Sequence, residues 1–407
     1  MRSAIAALLL VLLAPFAASA ADPPALLQTP ALSATRIAFA YADEIWIAPR
    51  GGGDARLLAG GNGLASGPVF SPDGTMIAYT GNYNGNQNVY VVPAAGGEPR
   101  RLTWHPGADA VVGWTPDGKQ LLFRSHRDSD TDSNHLYTVP LGGGLPSELP
   151  LPMAEDGSYS PDGSRLAYSP VFQWEPDWKG YRGGQTTPIW IARLSDSSVV
   201  KIPRDNSNDR DPMWVGNTVY FLSDRDGPVT LFAYDTQTGQ VTQLLNNDGF
   251  DIDSASAGPG AIVYSQMGRI YLYALATHAA TPLNLRVAGN LPQLAPHFVK
   301  VAKDILNAGI SPTGVRAVFE AHGDILTVPA DKGDMRDITA TPGAAERDPS
   351  WSPDGKSIAY FSDASGEYQL YIRDQDGLRP PRVINLGNPP SFFYSPVWSP
   401  DSKKIAY

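Results

Sequence analysis

The sequence predicts an all-β protein: a six-bladed β-propeller followed by the first blades of a second, truncated propeller. Three observations carry this. A phrase recurs as Phe70-Ser-Pro-Asp-Gly-Thr-Met-Ile-Ala-Tyr79, Trp114-Thr-Pro-Asp-Gly-Lys-Gln-Leu-Leu-Phe123, Tyr159-Ser-Pro-Asp-Gly-Ser-Arg-Leu-Ala-Tyr168, Trp351-Ser-Pro-Asp-Gly-Lys-Ser-Ile-Ala-Tyr360 and Trp398-Ser-Pro-Asp-Ser-Lys-Lys-Ile-Ala-Tyr407. Neighbouring copies lie roughly 40–50 residues apart, the period of propeller blades. The rhythm fails between Pro282 and Lys303 and resumes at Ile310-Ser-Pro-Thr-Gly314. Each copy encodes one strand–turn–strand. The aromatic residue closes a strand, Pro sets φ for the turn, Asp caps it and Gly takes the left-handed position. The apolar–small–aromatic run that follows opens the partner strand.

Taken in order, residues 1–20 stand outside the fold. Arg2 supplies a positive start, Ala4 to Ala14 an apolar stretch, and Ala18-Ser-Ala20 a small-residue cleavage site. This is the pattern of a secretory signal peptide cleaved after Ala20, which implies a periplasmic or secreted protein. The apolar stretch is shorter than the about 20 residues a bilayer span requires. A buried N-terminal helix is the competing reading. Residues 21–33 read as a lead-in, and 34–285 as six blades. The second and third strands of these blades are 37–41 with 44–48, 76–80 with 88–92, 120–124 with 135–139, 165–169 with 188–192, 218–222 with 230–234, and 261–265 with 269–273. Aromatic and β-branched residues dominate them, alternating as half-buried strands do. Gly-rich turns follow at Gly96-Gly97 and Gly142-Gly143-Gly144, and a fourth strand such as Arg100-Arg-Leu-Thr103 completes a four-stranded sheet. Pro- and Ala-rich residues 286–303 read as a linker, and 304–407 as the incomplete start of a second propeller. Two and a half blades leave a ring of about four or more open, with strand edges exposed. The expectation is therefore that the chain is the front part of a longer protein, against the alternative of a small atypical second domain.

Composition narrows the function. The chain of 407 residues has no Cys, which removes disulfides, thiolate nucleophiles, Cys-ligated metals and a lipid-bearing Cys. Its net charge of −10 comes without any basic run, which argues against a nucleic-acid partner. No cofactor or metal site is expected. The six His residues fall into no metal spacing. Asp128-Ser-Asp130-Thr-Asp132 echoes a calcium loop, but Ser133 and Val139 replace its glycine and its bidentate Glu. Gly113-Trp-Thr-Pro-Asp-Gly118-Lys119 and Gly355-Lys356-Ser357 mimic a phosphate loop within strand–turn–strand context, where such a loop must open a helix. No Gly-x-Ser-x-Gly elbow is present, so no catalytic residue is assigned.

One loop carries more information. The connection between second and third strands is long in the third blade, 125–134, and longest in the fourth, 170–187. The latter contains Trp174, Trp178, Lys179, Tyr181 and Arg182. Trp, Tyr and Arg are enriched at interface hot spots, so these five are the candidate binding residues. They form either a docking surface, a rim touching substrate, or a loop folded over its own blade.

The phrases and this loop together resemble the tricorn protease family, through Trp178-Lys-Gly-Tyr-Arg-Gly-Gly184 with Ile189-Trp-Ile191, Ala345-Glu-Arg-Asp-Pro-Ser-Trp-Ser-Pro-Asp-Gly355, and Ser365-Gly-Glu-Tyr-Gln-Leu-Tyr-Ile-Arg-Asp374. The resemblance covers the whole mature chain. It implies a multidomain serine peptidase in which a six-bladed and a seven-bladed propeller precede α/β catalytic domains and a PDZ domain. It also implies propellers that gate peptides, and a hexameric homo-oligomer. The catalytic Ser and His would lie in the later domains, so none is carried onto this chain. Two departures stand out. Residues 105–112 are too short for the paired arginines that hold a peptide C-terminus in archaeal members, and the export signal differs from their cytoplasmic setting. Two competing readings remain: a non-catalytic periplasmic binding propeller of the Tol-system type, and a propeller fused to another hydrolase such as a prolyl oligopeptidase or an amidohydrolase.

Overall fold

The computed structural model describes residues 26–407 except 62, 132, 174–177, 248, 290, 292–293, 296–297 and 388–389. The signal-peptide reading of 1–20, Asp132 and the candidate Trp174 therefore lie outside the described residues. Eight sheets of four or five strands follow one another along the chain, and a two-stranded hairpin of Val397–Trp398 with Ile405–Ala406 comes last. Six sheets form the first ring. The blades start at Gln28–Leu32, Leu64–Phe70, Asp109–Trp114, Asp156–Tyr159, Asp209–Val215 and Ser254–Gly258, each an inner edge strand followed outward by its three antiparallel successors. Blades 7 and 8 start at Ile305–Ile310 and Glu346–Trp351.

The turn phrase builds as its residue types dictate. Gly74, Gly118, Gly163 and Gly355 all take φ of 70–71°, the left-handed region open to a residue without Cβ. Ser402 holds the same position in the last copy at φ 58°. The hydroxyl before the proline adds a bond that the phrase does not advertise: Ser71 Oγ donates to Asp73 Oδ1 at 2.6 Å, while Thr75 N donates to that oxygen at 3.0 Å. The backbone N–H of Met76, the next strand's first residue, donates back to Ser71 Oγ at 3.0 Å. The same hydroxyl–Asp bond recurs at Thr115, Ser160, Ser352 and Ser399.

Inner strands are sheet edges, so their outward backbone groups need partners from elsewhere. The preceding blade supplies them. Thr80 Oγ1 accepts from Val111 N at 2.9 Å, Ser158 Oγ from Trp214 N at 2.9 Å, and Asp211 Oδ2 from Ala255 N at 3.0 Å. Many inner strands also carry a β-bulge in front of a proline. Thr29, Gly67, Asp211 and Asp348 each sit at positive φ directly before Pro30, Pro68, Pro212 and Pro349, where the register shifts. Ser395 takes the same conformation before Pro396, just ahead of the last hairpin. Proline is tolerated there because an edge or bulge position needs no ladder N–H.

Two boundaries differ from the sequence reading. Gln28–Leu32, taken as lead-in, is the inner strand of blade 1, and its Pro30 and bulge hid it. Leu285–Val287, at the start of the expected linker, pairs in parallel with the outer strand of blade 1. Both segments bear on closure. The sixth blade packs on the first through Leu27, Leu32, Ile37, Phe39 and Trp46 against Ala261, Val263 and Ile270. Gly258 lies so close to blade 1 that a Cβ would meet Leu32 O at 2.6 Å. Arg50 clips the joint by donating to Ser33 O and Pro259 O, both at 2.7 Å. The ring thus closes by packing of blade 6 on blade 1 and by the parallel pairing of Leu285–Val287 with blade 1, while every four-stranded sheet is contiguous in sequence.

Candidate functional site

In a four-stranded antiparallel meander, the second-to-third turns and the links to the next blade emerge on one face. On that face of the first ring, the fourth-blade loop reaches both its own neighbours and the second unit. Its two halves behave differently. Arg182 turns back onto blade 5, donating from Nη1 to Asp224 Oδ2 at 2.9 Å and from Nη2 to Asp224 O at 2.7 Å. Asn208 fixes that carboxylate from the other side, through its backbone N–H at 2.8 Å and Nδ2 at 2.9 Å. Tyr181 belongs to both halves: its carbonyl accepts from Asn208 Nδ2 at 3.4 Å, and its ring lies 5.1 Å from Trp178.

Lys179 and Trp178 face the second unit. Lys179 Nζ sits between Asp251 Oδ2 of the first ring, 2.8 Å away, and Glu367 Oε1 of blade 8, 2.7 Å away. The Trp178 ring lies 6.4 Å from Phe392. Burial opposes the Lys179 charge, but Asp251 and Glu367 together outweigh it and hold the ammonium above its ordinary range. For Glu367 the balance goes the other way: burial raises its carboxyl more than Lys179 lowers it. Beside this pair, Gly366 at φ 96° has no room for a side chain, since a Cβ would meet Phe250 Cε1 at 2.1 Å. Asp251, Glu367, Phe250, Gly366 and Phe392 were invisible as partners in the sequence, because they lie far along the chain from the loop they meet.

The blade-8 side of this seam repeats a phrase from the first ring. Asp209-Arg-Asp-Pro212 in blade 5 corresponds by register to Glu346-Arg-Asp-Pro349 in blade 8. Arg210 staples blade 5 to blade 6 by donating to Asp253 O at 2.6 Å and Ile252 O at 2.8 Å. Arg347 is instead sandwiched between the Tyr368 and Phe392 rings, at 4.0 and 4.1 Å. Its buried Nε and Nη2 have no hydrogen-bond partner among the described residues.

Inside the first ring, a second charged group lies on the inner strands of blades 4 and 5. Burial, reinforced by the nearby Asp211 charge and opposed by Arg124, pushes the Asp156 carboxyl up to about 7. Burial likewise raises Asp211, against the pull of Arg210. Among the described residues, no three His, Asp or Glu side chains converge as a metal site, and Asp128 accepts a bond from Tyr137 Oη at 3.2 Å.

Comparison with known proteins fits this architecture. Residues 24–279 match the model of the tricorn protease N-terminal beta propeller domain. The chain is 30% identical over 362 residues to tricorn protease homolog 1 of Streptomyces coelicolor, covering 88% of this chain and 34% of that protein. It is 26% identical over 262 residues to the tricorn protease of Thermoplasma acidophilum, covering 61% of this chain and 24% of that one. A crystal structure of the tricorn protease superposes with a TM-score of 0.57 at 20% identity, over 94% of this chain and 46% of that chain, which bears on the fold. The chain spans about a third of the length of the first curated relatives it matches. The chain belongs to the tricorn protease family, with its N-terminal propeller domain at residues 24–279.

Proposed function

We propose that this chain is the propeller portion of an exported, tricorn-type serine peptidase that degrades peptides. The rings admit substrate and release product, while hydrolysis takes place in domains outside these residues. The single observation that carries the reading is the family match across most of the first ring, extended by a relative that aligns with 88% of the chain. Export follows from Arg2, the apolar stretch and Ala18-Ser-Ala20. Assembly with further copies of itself and with catalytic and PDZ domains is part of the same proposal. Within it, Trp178 and Lys179 hold the second unit against the first ring, and Tyr181 and Arg182 anchor the loop that carries them. This makes the fourth-blade loop a docking element that orients one ring to the other.

The test is hydrolysis of unstructured peptides. The complete gene product should cleave them and lose this activity to a serine-directed inhibitor, whereas purified residues 21–407 should bind peptide and cleave nothing. Inhibitor-sensitive cleavage by residues 21–407 would overturn the division of labour. Absence of cleavage by the complete product would overturn the peptidase reading. N-terminal sequencing of protein from a periplasmic fraction should begin at Ala21; an intact Met1 on cytosolic protein would overturn export.

A further inference from the structure

Blades 3 and 5 share a buried three-part plug, and blade 8 contains all of it but one part. In blade 3 the first residue of the inner strand, Asp109, pairs in register with Ser125, the last residue of the second strand. Two residues beyond that Ser, Arg127 donates from Nη2 to both Asp109 oxygens at 2.7 Å. Its guanidinium lies 5.0 Å over Phe123 and 5.2 Å over Tyr137, which stack on each other at 5.6 Å and 26°. Blade 5 repeats this with Asp209, Ser223 and Arg225 over Phe221 and Phe232. Both aspartates are fully buried and both arginines cap them from the loop face.

In blade 8, Glu346 pairs with Ser362, and Tyr360 stacks on Tyr371 at 5.7 Å and 29°. The position two residues beyond Ser362 is Ala364, and it is exposed. Ser362 Oγ donates to Glu346 Oε1 at 2.9 Å. The other oxygen, Oε2, is buried and makes no hydrogen bond of ordinary geometry among the described residues, though the Thr339 hydroxyl lies near enough to the carboxyl to favour its charged form. The Thr339 hydroxyl nearby donates to Asp337 Oδ1 at 3.2 Å. Asp324 and Asp363 add only like charge. A buried carboxylate oxygen without a donor is costly. Burial accordingly holds this carboxyl up at about 7, poised between its two forms.

We infer that Glu346, with the stacked Tyr360 and Tyr371, is a receptor for the arginine side chain of a bound peptide, which enters beside Ala364 and takes the place that Arg127 and Arg225 fill in the first ring. Arginine suits this place because its planar guanidinium both stacks on aromatic faces and donates in a fork to a carboxylate. A cation there also returns Glu346 to its charged form. Ala364 is exposed, in the blade-8 loop that also presents Glu367 to Lys179. The inference rests on the proposed role of the rings in handling peptides.

The test uses fluorescence anisotropy of the whole chain with an unstructured peptide carrying one arginine, and with the same peptide carrying uncharged citrulline there. The arginine peptide should bind at least tenfold more tightly. Glu346→Gln should abolish that preference. Ala364→Arg should abolish it too by plugging the slot from within, while the thermal midpoint stays level or rises, so that lost binding is not lost folding. Equal binding of the two peptides would overturn the inference while leaving the peptide-handling reading intact. Survival of the preference in both variants would do the same. Failure of both peptides to bind would overturn both readings.

Discussion

Lys179 of the first ring donates to Glu367 of the second unit at 2.7 Å, across 188 positions of sequence. The same ammonium also pairs with Asp251 at 2.8 Å, so removing it leaves two half-buried carboxylates facing each other. Breaking a buried pair costs about 3–5 kcal/mol and an exposed one about 1 or less. With all three side chains partly exposed, Lys179→Ala should loosen the seam by roughly 1–2 kcal/mol. The readout is proteolysis within 288–303, which should quicken several-fold while the melting of the first ring stays unchanged. Unchanged cleavage would show that the ion pairs contribute nothing to docking.

Gly366 gives an independent handle on the same seam. Its φ of 96° disfavours any side chain, and a Cβ would collide with the Phe250 ring edge at 2.1 Å. Gly366→Ala should therefore separate the units more than Lys179→Ala does, with no loss of the blade-8 strands, whose ladder lies outside the turn. Faster proteolysis of the 288–303 segment together with intact far-UV circular dichroism is the expected outcome.

These two positions also mark how far the sequence could be read. The second and third strands of the first six blades begin within two residues of their expected positions, because period-two alternation between turn phrases is local information. The largest difference is blade 4, whose third strand starts at Trp190 and not at 188. Pro188 cannot donate to a ladder, and Thr186 and Thr187 instead belong to the docked loop. Inner strands were harder to read, since residues such as Pro30 and Pro212 break the pattern, and only their recurrence behind a positive-φ residue reveals a bulge. The loop was legible as unusual from Trp178 to Arg182. Its partners were not, because contacts between distant turns leave no periodic trace in either segment.

The arginine plugs should carry much of the first ring's stability. Asp209 is fully buried and accepts from Ser207, Ser223 and Arg225 at 2.8, 2.6 and 3.0 Å. Arg225→Met keeps the stacked volume over Phe221 and Phe232 but leaves the carboxylate without its cation. Denaturant unfolding should show a loss of about 3 kcal/mol or more. Arg193, whose exposed partner is Asp196 at 3.5 Å, serves as the control: Arg193→Ala should change stability by about 0.5 kcal/mol or less. Similar losses for both would show that the buried plug is no stronger than a surface pair.

Two sets of aspartates give the ring opposite responses to pH. The turn aspartates, Asp162 among them at about 2, are held low first by the Ser hydroxyl and then by backbone N–H donors. Their contribution is present above the ordinary value of 3.8 and is lost as pH falls through the lowered one. Asp156 works the other way. Burial raises it to about 7, so between 3.8 and 7 the folded ring binds a proton that the unfolded chain has released. Stability therefore falls as pH rises through that window, and the penalty is complete above it. Asp156→Asn keeps an oxygen to accept from Gly157 N, a bond of 2.7 Å in the native ring, and removes the ionisation. Thermal melting should find the variant equal to the native ring at about pH 3.5, below the ordinary value of 3.8, and increasingly more stable than it from there to pH 8. If the variant is no more stable at pH 8, the carboxyl is ionised in the ring without cost, and water or a cation on the inner face stabilises its charge.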